Sequence, residues 1–198
     1  MASPFGIHED EKVCFFIEGA NLYAVSKFLD LNIDYKRLLD HFQNKSRFVR
    51  ANYYTAIIED QEYNSIRPLM DFLDYNGYRV ITKATKEHVD SAGRRRVKGN
   101  VDVEMTVDMI EAAKFAEHLV LFSSDSDLVP AVDAVQRLGA RVTVVSDKTM
   151  CGDDLRRKAD AFVEIKNVAS IISKLPEDIS APPRLSATIR PRASTPTV

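Results

Sequence analysis

Four carboxylates stand in three separated segments of this 198-residue chain: Glu18 in FFIEGANLY, Asp102 in KGNVDVEMTVDM, and Asp125 and Asp127 in LVLFSSDSDLVP. Converging oxygen donors are what a hard divalent cation requires, and Mg2+ or Mn2+ takes a few carboxylates while water fills the rest of its shell. A cation so held polarises a phosphate and lowers the pKa of a coordinated water, which is the chemistry of phosphodiester hydrolysis. Each acid also has a plainer use. Asp125 suits a helix N-cap, Ser124-x-x-Asp127 has the spacing of a capping box, and Asp102 at a helix start complements the helix dipole. Taken singly, each acid favours capping; joint placement at one edge of a sheet favours metal. Asn21 has the same two uses, as cap of a helix beginning at Leu22 or as an amide that orients a carboxylate.

Convergence depends on the elements that carry these residues. Short apolar runs over 13–17, 50–57, 78–82, 119–122 and 142–145 alternate with helical patterns over 22–29, 35–42, 62–75, 101–116 and 128–138. Such alternation is the signature of βαβ units and a mostly parallel sheet. The first, fourth and fifth runs are almost wholly apolar, as strands covered on both faces are. Gly77 and Gly139 stand where helices must stop and strands begin, a position that needs positive φ. In an open parallel sheet, function gathers beyond the carboxyl ends of the strands. Glu18 directly follows the first strand, Asp125 and Asp127 directly follow the fourth, and one right-handed crossover brings the start of the Asp102 helix to the same edge.

Composition narrows the class. With 45% hydrophobic residues the chain can bury one core, and its length fits one domain. No apolar run approaches the roughly 18 residues of a membrane span, and MASPFGIHEDEK lacks the order of a signal peptide, so no membrane partner and a cytoplasmic location are expected. Cys14 and Cys151 make neither a disulfide framework nor a thiolate zinc site. The four histidines share no ligand spacing. A net charge of −2 excludes a uniformly basic nucleic-acid coat, so any contact with nucleic acid rests on local charge. That charge collects in residues 83–99, KATKEHVDSAGRRRVKG, read as a long polar connection in which Lys83, Lys86, Arg94, Arg95, Arg96 and Lys98 could hold a phosphate backbone next to the acids. Tyr53 and Tyr54 offer rings for base stacking, although strand alternation turns at least one of them into the core. Residues 1–11 read as an N-terminal extension, 12–175 as the domain, and 176–198, rich in Pro, Ser, Thr and Arg, as a flexible tail.

The segments FFIEGANLY, KGNVDVEMTVDM and LFSSDSDLVPAVDAVQRLGARVTVV resemble, in order and spacing, the NYN domain of the PIN-like nuclease superfamily and its LabA-like branch, over about residues 12–165. The resemblance implies a three-layer α/β/α sandwich around a mostly parallel sheet and metal-dependent cleavage of RNA, single-stranded RNA included. It assigns Glu18, Asp102, Asp125 and Asp127 to Mg2+ or Mn2+, Asn21 to their support and Lys98 to RNA, with Asp108 and Ser124 as weaker candidates. Glu18 replaces the family's Asp, Ser124 and Ser126 replace its glycines, and Leu128 replaces its Phe. The extra methylene of Glu18 can move a carboxylate by about 1 Å, and a shift of that size can cost roughly 10²-fold in rate. A serine forced to positive φ would cost about 1–2 kcal/mol. These departures keep a second expectation open, a catalytically weakened RNA-binding or regulatory protein on the same fold. A small-molecule phosphatase or nucleotide-binding domain is a third, opposed by the lack of a P-loop or GxGxxG. A symmetric dimer is the default for so small a domain.

Overall fold

In a computed structural model, residues 3–58, 66–89, 95–98 and 100–174 are described. The chain runs β1 (Lys12–Glu18), α1 (Gly19–Phe28), α2 (Tyr35–Gln43), β2 (Arg47–Ile58), α3 (Arg67–Tyr75), β3 (Tyr78–Val89), β4 (Arg95–Lys98), α4 (Asp102–Ala112), β5 (His118–Phe122), α5 (Val129–Arg137), β6 (Arg141–Ser146), α6 (Asp153–Lys158), β7 (Ala161–Glu164) and α7 (Ala169–Ile172), with 3-10 turns at Ser126–Leu128 and Ile165–Val168. The sheet order is β4-β3-β2-β1-β5-β6-β7. Every pairing is parallel except β3 with β4. The expected α/β/α sandwich with a mostly parallel sheet is what forms.

Period-two alternation divides β1 between two cores. Val13, Phe15 and Ile17 join Val120, Phe122 and Tyr53 beneath α1, α2 and α3, while Cys14 and Phe16 join Leu119, Leu121 and Tyr54 beneath α4, α5 and α6. Glu18 continues the second series, which aims its side chain toward the α4 layer. Tyr53 and Tyr54 fall one in each core and both are fully buried, so neither offers a ring for base stacking. Gly77 and Gly139 take the expected positive φ, +91° and +90°.

The largest departure lies in residues 83–99. Instead of a connection, β3 continues to Val89 and β4 pairs antiparallel against it, Lys86 opposite Lys98. An edge hairpin can be charged along its length, so the apolar pattern that reveals a buried strand is missing there. The hairpin still leads directly to Asp102. The short β7, α6 and α7 were not anticipated either; elements of four to six residues leave too few turns or alternations to read. Residues 5 and 7 of the N-terminal extension are core: Phe5 is fully buried and packs on Phe42 at 4.7 Å between ring centroids. The 176–198 tail lies outside the described residues. Both cysteines are unpaired and buried, and desolvation pushes the Cys14 thiol up to about 11. Among the described residues, no helix is long and apolar enough to cross a membrane.

Candidate metal centre

The sheet changes direction at β1. The chain first adds β2, β3 and β4 on one side of it and then, through α4, returns to add β5, β6 and β7 on the other. A crevice opens where such a reversal occurs, at the carboxyl ends of the two strands flanking it. Glu18 closes β1, and Ser123 to Asp125 follow β5 immediately. Since α4 carries the chain back to β5, its first residue, Asp102, meets them there. Ligand oxygens of Glu18, Asp102 and Asp125 all lie within 4.8 Å of one another. Glu18 and Asp102 are buried, at 7% and 8% exposure.

Glu18 adopts extended backbone angles at the N-cap of α1, which begins at Gly19 rather than Leu22. Asn21 is therefore inside the first turn, not its cap, and it lies close enough to the Glu18 carboxylate to favour its charged form. Gly19 is required by packing: any Cβ there would strike the Tyr53 ring, 2.5 Å from its hydroxyl oxygen. On the opposite side, the Asp125 amide donates to Ser123 Oγ at 3.0 Å, and Ser123 Oγ donates to Glu18 Oε2 at 2.5 Å. The longer side chain of Glu18 thus reaches a hydroxyl on the neighbouring strand while staying among the other acids. Asn100 Nδ2 donates to Asp102 Oδ2 at 2.6 Å. Asp102 Oδ1 is buried without a hydrogen-bond partner among the described residues.

Among the described residues, no cationic side chain is ion-paired with the three acids at this edge. Burial raises the pKa of Glu18, partly offset by its bonds from Ser123 and Asn21, and the charges of Asp102 and Asp125 raise it further. Burial likewise raises Asp102, with Asp125 and Asp127 adding to the effect and Lys83 opposing it. Lys83 is itself ion-paired with Glu104 at 2.9 Å. Three carboxylates that share a crevice, one with a bare buried oxygen, suit a hard divalent cation: all donors are oxygen, and their mutual repulsion is what such an ion relieves. Mg2+ and Mn2+ fit this donor set.

The remaining candidates are dispersed. Asp127 is exposed and outside the three-acid group; its amide is capped by Asp125 Oδ1 at 2.9 Å, so Asp125 combines the capping role with its place among the acids. Asp108 is bound into the structure, accepting from Tyr54 at 2.8 Å and pairing with Arg79 at 3.0 Å. Ser124 shares a hydrogen bond with Ser146 at 2.7 Å. Asp30 is the lone non-glycine residue with positive φ among those described, so Ser124 and Ser126 carry no strain from replacing glycine. Arg94 lies outside the described residues, while Arg95, Arg96 and Lys98 occupy β4, whose backbone alone is described. Ser123 and Asn100 were not singled out from the sequence. Parity could have found Ser123: it continues Leu119 and Leu121 on the face where Glu18 continues Cys14 and Phe16.

The model of the family described as NYN domain matches residues 12–166. The chain belongs to the NYN domain family. The chain is 32% identical over 178 residues to low amplitude and bright protein LabA of Synechococcus elongatus, covering 86% of this chain and 94% of that protein, which places it in the LabA-like branch. A crystal structure of a protein of unknown function from Vibrio parahaemolyticus is also similar, with a TM-score of 0.65 and 26% identity over 77% of this chain and 91% of that one. The match to NYN places the chain among PIN-like nuclease domains, and all three acids of the buried cluster fall inside the matched residues.

Proposed function

We propose that this NYN domain is a Mg2+- or Mn2+-dependent endoribonuclease that hydrolyses phosphodiester bonds of single-stranded RNA. The observation that carries this reading is the convergence of Glu18, Asp102 and Asp125, with ligand oxygens within 4.8 Å of one another at the switch point of the sheet. When bound there, the ion supplies phosphate polarisation and an activated water. The chain's own residues prepare the place. Ser123 holds Glu18 in one orientation, Asn21 beside it favours its charged form, Asn100 holds Asp102, and burial strips away water that would otherwise screen the carboxylates. Asp127, at the rim, adds negative charge. The hairpin strand that carries Arg95, Arg96 and Lys98, with Arg94 next to it in sequence, supplies sequence-independent attraction for an RNA backbone.

Incubation of the purified protein with RNA and DNA oligomers in Mn2+ or Mg2+ tests the proposal. The wild type should cleave RNA and the Asp102→Asn/Asp125→Asn variant should not, with folding unchanged by circular dichroism. Equal cleavage by both proteins would refute the assignment. The second reading, a regulatory RNA-binding protein, draws on the longer side chain of Glu18 at this position, whose Oε2 accepts from Ser123. Calorimetry separates the two: RNA binding without Mn2+ binding or turnover favours the regulatory protein.

A further inference from the structure

Far from the acids, the amino ends of β2 and β3 form a cleft of about 610 Å3 lined by Arg47, Arg50, Arg79, Gln43, Ser46 and Tyr78 among others, with no acidic residue in the lining. The arginines share a sheet face because of a local irregularity. Val13 pairs with Phe48 but Cys14 pairs with Arg50, so Val49 is an extra residue in β2. Such a bulge reverses the alternation beyond it. Phe48 and Ala51 consequently both face the first core, while Arg47 and Arg50, three apart, both turn to the opposite face. Arg79 lies between Tyr78 and Val80, which both face the first core, and so projects to the opposite face, the side of Arg47 and Arg50. Arg79 pairs in register with Asn52, two residues beyond Arg50, making Arg50 and Arg79 diagonal neighbours.

Charge is unbalanced here in the opposite sense from the metal centre. Arg79 has Asp108 at 3.0 Å, and with Arg50 it also borders a smaller adjoining cavity lined by Asp108 and Glu111, whereas neither the Arg47 nor the Arg50 side chain has a hydrogen bond or ion pair among the described residues. All three are exposed. Guanidinium groups present rigid forks of N–H donors that match phosphate oxygens bidentately. We propose that this cleft binds phosphate groups through Arg47, Arg50 and Arg79, independently of the carboxylate site. The phosphates come from a free polyphosphate such as a nucleoside triphosphate or from an RNA backbone, and the two sources are distinguishable in solution.

Binding of ATP by calorimetry and of a labelled RNA 12-mer by anisotropy, both in EDTA so that hydrolysis is off, tests the site. The comparison is between wild type and an Arg47→Ala/Arg50→Ala variant, whose exposed side chains can be removed without opening the core; circular dichroism checks its fold. Saturable ATP binding that weakens at least tenfold in the variant identifies a free polyphosphate ligand. RNA binding alone, weakened at least tenfold and with a shallower salt dependence, identifies the backbone. An Arg47→Lys/Arg50→Lys variant should fall between the two, since it keeps the charge and loses the fork. Absence of binding, or equal affinity in wild type and the alanine variant, overturns the proposal. Asp102→Asn/Asp125→Asn removes only repulsion in EDTA and should bind within a few-fold of wild type: a gain of tenfold or more would assign the phosphates to the carboxylate edge and overturn the separate cleft, whatever the outcome of the nuclease test.

Discussion

Buried charge is handled in opposite ways at the two ends of β1 and β5. At the amino ends, His118 Nε2 meets Thr143 Oγ1 at 2.8 Å, and its Nδ1 lies 3.3 Å from Glu11. Glu11 also pairs with Arg141. Burial raises the Glu11 pKa, but the His8 amide, Arg141 and His118 together outweigh it and bring the value below the usual range. At the carboxyl ends, Glu18, Asp102 and Asp125 face one another with no cationic side chain in contact among the described residues, and Glu18 and Asp102 are raised. The amino-end cluster satisfies itself, and the carboxyl-end cluster is left in mutual repulsion. The contrast, more than the presence of acids, supports the proposed metal site at the carboxyl edge.

The largest effect should come from removing the carboxyl-edge charge. Asp102→Asn/Asp125→Asn should lower Mn2+-dependent RNA cleavage by about 10³-fold, corresponding to several kcal/mol of transition-state stabilisation, while the melting temperature in EDTA holds or rises. A fall in melting temperature in EDTA would erase the contrast. At the other end, His118→Ala should destabilise the fold by about 2–3 kcal/mol in urea unfolding, through a cavity and the lost partners of Thr143 and Glu11, and leave Mn2+ affinity unchanged. Ser123→Ala removes the hydroxyl that orients Glu18 and should weaken Mn2+ binding about tenfold by calorimetry, since outer partners of metal ligands contribute on that scale.

The smallest effect is the dependence of metal-free stability on pH. Glu18 and Asp102 have folded pKa values above their unfolded ones, so their contribution favours the fold at low pH and is lost as pH rises from the unfolded through the folded values. Glu11 has the reverse sign: its contribution is present above the unfolded carboxylate pKa and lost as pH falls through the folded one. His118, lowered by burial and by Arg141, likewise favours the fold above the unfolded imidazole pKa. In EDTA, Glu18→Gln should therefore raise the melting temperature by a few degrees at pH 8 and leave it unchanged near pH 4. Saturating Mn2+ should abolish that advantage, because only the wild type keeps the ligand. A variant that melts lower than wild type at pH 8 in EDTA would show that Glu18 is as satisfied as Glu11.

Much of this was legible from local pattern. Near-continuous apolar runs located β1, β5 and β6, and glycines at 77 and 139 located helix ends, because burial on both faces and positive φ each leave a residue-level trace. Asp102, Glu18 and Asp125 were legible as acids at element boundaries. The hairpin of β3 and β4 was not, since a charged edge strand and a charged loop have the same composition, and the Val49 bulge left no signal because one extra residue changes parity without changing composition. Ser123 was overlooked beside Ser124, although their difference is only which side of a strand each faces.

The amino-acid sequence by itself determined the family, the alternation of strands and helices, and which acids sit at their ends, since those properties reside in short segments and in their order. Tertiary structure alone decided which acids meet. Strand order put β5 beside β1 and the start of α4 above both, drawing Glu18, Asp102 and Asp125 together while Asp127 stayed exposed at the rim and Asp108 was bound to Tyr54 and Arg79. Distances between carboxylates, and whether a buried oxygen finds a partner, depend on contacts among residues far apart in the chain. No local pattern encodes them.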